Sequence, residues 1–492
     1  MSCAYQAMEQ SVAPFTDGVL SRSENPATVE VINPSNGKRL LEIPQGCEKD
    51  VDRAVASARR AFEDGRWSQA APSFIRQTLY RFAEAIVTEA LTLDALDAAE
   101  MGKPIAQTLF GAATAAELLR FCADSADKIT GDVYSSDKNS LVLQRRVPRG
   151  VVAAVVPWNF PTFNAVLKIA PALAAKNSVV LKPSELSSRS AVRLAQLAIQ
   201  AGVPAGVFNV VPGLGEVVGR ALGMHRDVDM VTFTGSTVVG KQMLQYAGLS
   251  NMKVVMAECG GKAPHVVFAD VSDLDAVAEF IARLLVANQG QICSVGSRVI
   301  VERGIEAELV EKIAACVSRV VIGDAVDPHT TFGPLVSAQQ CTRVMNYIQS
   351  GHAAGAELVT GGRRVLPESG GYFVEPTVFR NVSPTASIAQ EEIFGPVLSV
   401  ISFEHEAEAI RIANGTIYGL TAYAWTTDLS RAMRLVKGIR STLLVNAVPP
   451  MGEGPGHAFS SEPSGQSGLG SEGGLPGMES YMRRQLVWIN HA

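Results

Sequence analysis

The chain lacks several features that would narrow its class. It has no block of like charge: 43 Lys and Arg stand against 48 Asp and Glu, for a net charge of -5. Nucleic acid therefore has no electrostatic footprint here and is not expected as a partner. Cysteine is sparse. Cys3, Cys47, Cys122, Cys259, Cys293, Cys316 and Cys341 are odd in number, scattered and without CxxC spacing. A disulfide framework or metal site is thus not expected, and a reducing, cytoplasmic setting is. No apolar run reaches spanning length, and the richest, 150–157, stops at a proline. The first fifteen residues show no basic region leading into an apolar one. Neither a membrane partner nor a signal peptide is expected.

What the chain does have is length and core. Its 492 residues, 47% hydrophobic and 18% charged, suit two or three globular domains. Residues 1–48 read as an irregular arm, with an alternating strand at 28–32 and a turn at 33–37. From 48 to about 127 the pattern is helical: Val51, Ala54, Val55, Ala58 and Phe62 share one face, and Leu91, Leu93, Leu96 and Met101 continue until Gly102-Lys103-Pro104 breaks the run. Between 151 and 257, strands at 151–156, 178–182, 207–211, 229–233 and 253–257 alternate with helices such as 187–201 and 215–222. This is the rhythm of a doubly wound parallel sheet. A second α/β pattern runs to about 450, with helices at 275–286 and 305–321 and strands at 397–403, 422–426 and 442–446. Peripheral strands at 131–149 and 481–489 suit either an oligomerisation element or an intrachain hairpin. The Gly/Pro/Ser-rich stretch 449–478 is a linker or an ordered loop.

Six segments carry candidate chemistry, each with a plainer alternative. Around Cys293 (288–298, NQGQICSVGSR) small and polar residues follow an apolar helical pattern. A thiol there is a candidate nucleophile facing backbone N–H groups, or simply a buried cysteine in a turn. Asn159, in 157–161 (PWNFP) after an apolar strand, suits an oxyanion donor or a turn cap. Glu258, in ECGGK at a strand end, suits a general base or a surface acid; Cys259 beside it ranks below Cys293 because it lies against a strand. Phe233-Thr234-Gly235-Ser236, with Gly240, leads from strand into helix and suits a pyrophosphate or an ordinary turn. Lys182-Pro183-Ser184-Glu185 ends another strand. A glutamate there can accept ribose hydroxyls, favouring NAD over NADP, or can serve a helix N-terminus. Glu392 and Phe394, in EEIFGP, suit a ribose contact and a nicotinamide face, or a surface acid and a core ring.

Taken together and in order, PWNFP, KPSE, FTGS, ECGGK, GQICS and EEIFGP resemble the NAD(P)-dependent aldehyde dehydrogenase superfamily, from about residue 25 to the end. The resemblance implies an aldehyde-dehydrogenase-like α/β fold in three parts. These are a doubly wound NAD-binding domain (1–128 and 149–257), an α/β catalytic domain (258–460), and an oligomerisation hairpin (129–148 and 474–492) making a homodimer or homotetramer. It implies Cys293 as nucleophile toward the aldehyde carbon, Asn159 with the Cys293 N–H as oxyanion hole, Glu258 as base for thioester hydrolysis, and Lys168 in a proton relay. It further implies NAD, or less favourably NADP, held by Val156, Pro157, Trp158, Lys182, Ser184, Glu185, Gly215, Phe233, Gly235, Ser236, Gly240, Glu258, Glu392 and Phe394.

The match has departures. The residue after Glu258 is Cys259 rather than Leu, the tail motif 463–472 lacks the usual Lys and Arg, and a second glutamate of the proton path falls at Leu475. The stretch 446–462 lies where the substrate mouth is shaped. After the Gly102-Lys103-Pro104 break, 108–114 carries no acid for a cationic substrate. Phe110, Phe121, Phe163 and Ile292 are expected to form an apolar tunnel for aliphatic or aromatic aldehydes. The alternatives are a semialdehyde or ω-aminoaldehyde dehydrogenase, a coenzyme-A-acylating enzyme, and a silent binding protein. Glu258 argues against coenzyme A, and the intact Cys293, Glu258 and Asn159 set argues against silence.

Overall fold

A computed structural model describes residues 12–447 and 459–491. Most of the mouth stretch 446–462, and the first part of the Gly/Pro/Ser-rich segment, therefore lie outside the described residues.

The fold is α/β, built on two large sheets. The first has eight strands, ordered Val19–Leu20, Phe15–Thr16, Phe208–Val210, Ser178–Lys182, Val151–Val155, Met230–Thr234, Val254–Glu258 and Gly468–Leu469. Its five central strands run parallel. They are nearly continuous runs of Val, Ala, Leu and Met because helices cover both faces. Chain order reverses on either side of Val151–Val155. The strand ends at 155–159 and 234–236 therefore flank a topological switch point, where such sheets bind ligands.

The helices follow the expected patterns with shifted ends. Glu48–Glu63 buries Val51, Ala54, Val55 and Ala58. The pattern read as 187–201 begins at Arg189, and 305–321 shortens to Glu306–Val317. The helix expected at 215–222 is instead a π-type turn, Gly215–Gly219, feeding Arg220–Met224. Its glycines at both ends give helical periodicity little to act on.

The second sheet has seven strands, in the order Glu357–Thr360, Thr377–Arg380, Val397–Phe403, Arg298–Glu302, Pro264–Val267, Thr421–Trp425 and Thr442–Val445. Only the Glu357–Thr360 edge is antiparallel. Met482–Asn490, Ser140–Pro148 and Asp132–Tyr134 form a separate antiparallel sheet within the chain. The segment 474–492, assigned to the hairpin, opens with a helix, Gly474–Ser480, and the strand read at 481–489 is found as Met482–Asn490. The end of the Gly/Pro/Ser-rich stretch is ordered too: Gly468–Leu469 pairs with Ala257 and Glu258, adding an edge strand to the first sheet. No helix among the described residues is long and apolar enough to cross a membrane.

Candidate active site

The turn carrying Cys293 is held in an unusual backbone path. Helix Leu274–Val286 runs into a 3-10 turn, Ala287–Gly290. There Asn288, Gln289 and Gly290 all have positive φ, of 45°, 56° and 68°. Two non-glycine residues in the left-handed region are costly and persist where their surroundings fix them. Buried amides do so here. The Asn288 N–H donates to Gln107 Oε1 (2.9 Å), Asn288 Nδ2 donates to the Asn159 carbonyl (2.7 Å), and Gln291 Nε2 donates to the Asn288 carbonyl (3.1 Å). The Val336 N–H donates to Gln291 Oε1 at 3.1 Å. Beyond the cysteine, the Tyr423 hydroxyl donates to the Ser294 carbonyl at 3.1 Å.

Cys293 is half-buried. Desolvation pushes its thiol up to about 12, with the carboxylates of Glu392 and Glu258 acting the same way. The sulfur is therefore a thiol at neutral pH and needs a base to become a nucleophile. Cys259, the rejected competitor, is buried beneath the helix Thr237–Leu249. A Cβ added at Gly240 would lie 2.5 Å from its sulfur. The small residue at 240 and the thiol at 259 thus share one packing space.

Asn159 is brought to the Cys293 turn. Its Nδ2 donates to the Gln291 carbonyl (3.0 Å), two residues before Cys293, and its Oδ1 accepts from Asn164 Nδ2 (3.1 Å). An amide nitrogen carries two hydrogens, so one remains for an oxyanion.

Glu258 ends the strand Val254–Glu258, and its Oε1 is buried with no partner. Burial raises its pKa well above the ordinary carboxyl value. The nearby Glu472 adds to the rise, and Lys168 opposes it. Lys168 is fully buried and ion-paired to Glu472. The second acid in this group is thus Glu472, not at the position of Leu475, which stays partly exposed in the helix Gly474–Ser480. The pairing spans sequence-distant elements, so no local pattern signals it.

The residues matched to a cofactor line the switch point. The Val156 N–H donates to the Lys182 carbonyl at 3.1 Å, joining the Pro157-Trp158 turn to the next strand. Lys182 Nζ pairs with Glu185 Oε2 at 3.0 Å, and the Ser184 hydroxyl accepts from the Leu186 N–H at 3.2 Å. Gly215 opens its π-type turn near the Lys182 amine. Ser236 caps the helix Thr237–Leu249 by accepting from the Val239 N–H at 3.3 Å. The Gly235 N–H donates to the Glu258 carbonyl at 3.0 Å. A Cβ on Gly235 would come within 2.5 Å of the Phe233 ring, which leaves only backbone facing the cleft there.

Across the site, Glu392 Oε1 accepts from the Gly261 N–H at 2.8 Å, and burial raises its pKa. Trp158 and Phe394 meet edge to face, with centroids 5.3 Å apart. These residues fit a dinucleotide. A 13-residue helix presents its N-terminus between small residues, and Thr234 Oγ1 at the adjoining strand end is buried and unpaired. The described residues contain no cluster able to hold a metal ion.

The apolar residues share one core cluster. Phe110 packs on Phe163 (4.7 Å) and on Phe160 (5.0 Å), a ring the sequence reading did not single out although it sits inside PWNFP. Ile292 is buried in the same hydrophobic cluster. Phe121, grouped with these from sequence, packs against the same cluster and also lines a crevice with Leu118, Leu167, Met256, Glu472 and Tyr481. Position 121 lies on the helix Ala112–Ser125, beyond the bend that carries Phe110, and faces the C-terminal segment. Asp94, an acid bonded to this region, accepts from the Ala112 N–H at 3.0 Å and so serves the start of that helix.

Residues 21–487 match the aldehyde dehydrogenase family. Similar curated proteins include an aminoacetaldehyde dehydrogenase of Pseudomonas aeruginosa, 41% identical over 481 residues, covering 97% of this chain and 95% of that protein. The NADP/NAD-dependent aldehyde dehydrogenase PuuC of Escherichia coli is 39% identical over 484 residues, with 97% and 95% covered. Among solved structures, the aldehyde dehydrogenase KauB from Pseudomonas aeruginosa superposes with a TM-score of 0.96 at 43% identity, over 99% of this chain and 98% of that one. An indole-3-acetaldehyde dehydrogenase in complex with NAD+ superposes with a TM-score of 0.95 at 43% identity, over the same shares.

Proposed function

The chain belongs to the aldehyde dehydrogenase family, and from that premise we propose that it oxidises an apolar aldehyde, aliphatic or aromatic, to the carboxylic acid with NAD. The observation that carries the mechanism is the convergence of Asn159 and Gln291 on the Cys293 turn, with Glu258 close enough to raise the thiol.

Cys293 attacks the carbonyl carbon as its proton is released to solvent water, the one proton that the net oxidation gives up. The oxygen becomes an oxyanion facing the spare Asn159 Nδ2 hydrogen and the Cys293 N–H. NAD, when bound, supplies the acceptor for the hydride lost from carbon. The product on sulfur is a thioester, which stores the acyl group. Glu258, buried and with a raised pKa, takes a proton from water, the hydroxide attacks the thioester, and the acid leaves as Glu258 returns that proton to the Cys293 thiolate. Lys168 and Glu472 give Glu258 a charged chain leading toward the crevice beside Tyr481.

NAD would be held by Lys182, Ser184 and Glu185 at the ribose end, by Gly235, Ser236 and Gly240 at the pyrophosphate, and by Glu392 and Phe394 at the nicotinamide. Glu185 disfavours a 2′-phosphate. The Phe110, Phe160 and Phe163 cluster supports an apolar substrate. The aminoacetaldehyde dehydrogenase relative supports a second reading, an aminoaldehyde substrate. A homodimer or homotetramer suits the edge strand Met482–Asn490, where Leu486 and Trp488 stay exposed. The test is the initial rate of NADH formation without coenzyme A, across straight-chain aldehydes, benzaldehyde and an ω-aminoaldehyde. Rates rising with apolar chain length support the first reading. Preference for the amine supports the second, and dependence on coenzyme A would overturn hydrolysis.

A further inference from the structure

We propose that Asn164 is a positioning residue for the oxyanion donor: its amide sets which way the Asn159 side chain faces. The inference rests on the reading of Asn159 given above. The two side chains are 5% and 6% exposed, so neither amide can turn to water for a partner. An asparagine amide is nearly symmetric in shape, and its two orientations differ only in which end donates. In Asn159 the nitrogen end is held by the Gln291 carbonyl at 3.0 Å and the oxygen end by Asn164 Nδ2 at 3.1 Å. Rotating the amide would set its oxygen against the Gln291 carbonyl and its nitrogen against another NH2 group.

The platform beneath Asn164 is rigid. It sits in the first turns of the helix Pro161–Ala174, and its own N–H donates to the Phe160 carbonyl at 2.8 Å. Pro161 opens that helix, and Asp97 Oδ2 accepts from the Thr162 N–H at 3.0 Å, doing the work of a cap. The donor to Asn159 is therefore carried by a helix whose start is fixed from a neighbouring element. A side chain of similar size without an N–H would leave the Asn159 oxygen a buried acceptor with no donor, free to rotate its nitrogen out of line.

Two variants test this, Asn164→Leu and Asn164→Asp, measured with wild type for kcat/KM on one aldehyde, for NAD dissociation constant, and for melting temperature. Asn164→Leu is expected to lower kcat/KM by about ten- to a hundredfold, less than deleting an oxyanion donor outright, with NAD affinity unchanged. In Asn164→Asp, the introduced carboxyl can donate to Asn159 Oδ1 only while protonated. The ratio of its kcat/KM to that of wild type should therefore fall as pH rises from about 5.5 to 8.5, burial keeping that carboxyl's titration in range. Cys293, Glu258 and Asp97 titrate in both proteins, so the ratio isolates the new group. A Leu variant within twofold of wild type overturns the proposal, as does an Asp variant whose ratio is flat with pH. If the Leu variant does not fold, the Asp profile decides. Failure of the functional reading is separate: wild type would then form no NADH.

Discussion

Lys168, with no side-chain exposure, is ion-paired to Glu472, 304 residues further along the chain, and this pair sits beside the proposed base Glu258. The contact ties the helix Pro161–Ala174 to the C-terminal segment. It also sets the charge that Glu258 feels, because Glu472 raises its pKa and Lys168 lowers it. Replacing Glu472 by Gln removes the raising influence and leaves Lys168 to act alone. The acid limb of the kcat–pH profile should move to lower pH. The variant should also lose about 3 kcal/mol of stability, since it leaves a buried charge without its partner. A limb that stays in place or moves upward would mean that Glu472 does not act on the base.

Asp97 should make stability fall with rising pH. Burial raises its carboxyl to about 7, against an ordinary value of 3.8. The folded protein holds that proton more tightly than the unfolded chain, so stability present below about pH 4 is lost as pH rises toward 7. Asp97→Asn keeps an acceptor for the Thr162 N–H and removes the titration. Its melting temperature relative to wild type should rise between pH 5 and pH 8. A constant difference across that range would contradict the assignment.

Glu100 and Arg189 form a buried pair at 3.0 Å, with side-chain exposures of 0% and 1%. Glu100→Ala should cost about 3–5 kcal/mol by urea unfolding, because it removes the carboxylate that pairs with a buried guanidinium. The double change Glu100→Leu with Arg189→Met should recover much of that loss.

Phe110 has a φ of +50°, a conformation that Asp adopts more readily than Phe. Phe110→Asp puts an acid into the apolar cluster without straining the backbone. Specificity should swing toward the ω-aminoaldehyde, with kcat/KM for benzaldehyde down at least about tenfold. Unchanged selectivity would place the aldehyde away from Phe110.

The sheet-forming strands were legible because parallel strands buried on both faces must be continuously apolar; 178–182 and 397–403 coincide with the strands found. The order of motifs carried the family, and with it the positions of Cys293, Asn159 and Glu258. Long-range side-chain pairing was not legible. Glu472 has no local signal that it meets Lys168, and matching the tail to the family pattern put the second acid's position at Leu475 instead. The crevice that Phe121 lines with Glu472 and Tyr481 was not legible either, because its walls lie far apart in the sequence. The left-handed path of Asn288 and Gln289 also lacks a sequence mark, since it is set by Gln107 and Asn159 from other elements.

The proposed reaction turns on an acyl group held on Cys293 and released by Glu258. The most direct measurement is a rapid-mixing experiment on Glu258→Gln with saturating NAD and aldehyde, followed by peptide mass analysis. One equivalent of NADH per chain is expected in a burst, with turnover reduced by at least about a hundredfold and an acyl mass on the peptide containing Cys293. Sustained turnover at the wild-type rate, or a burst that leaves the acyl group on another residue, would contradict it.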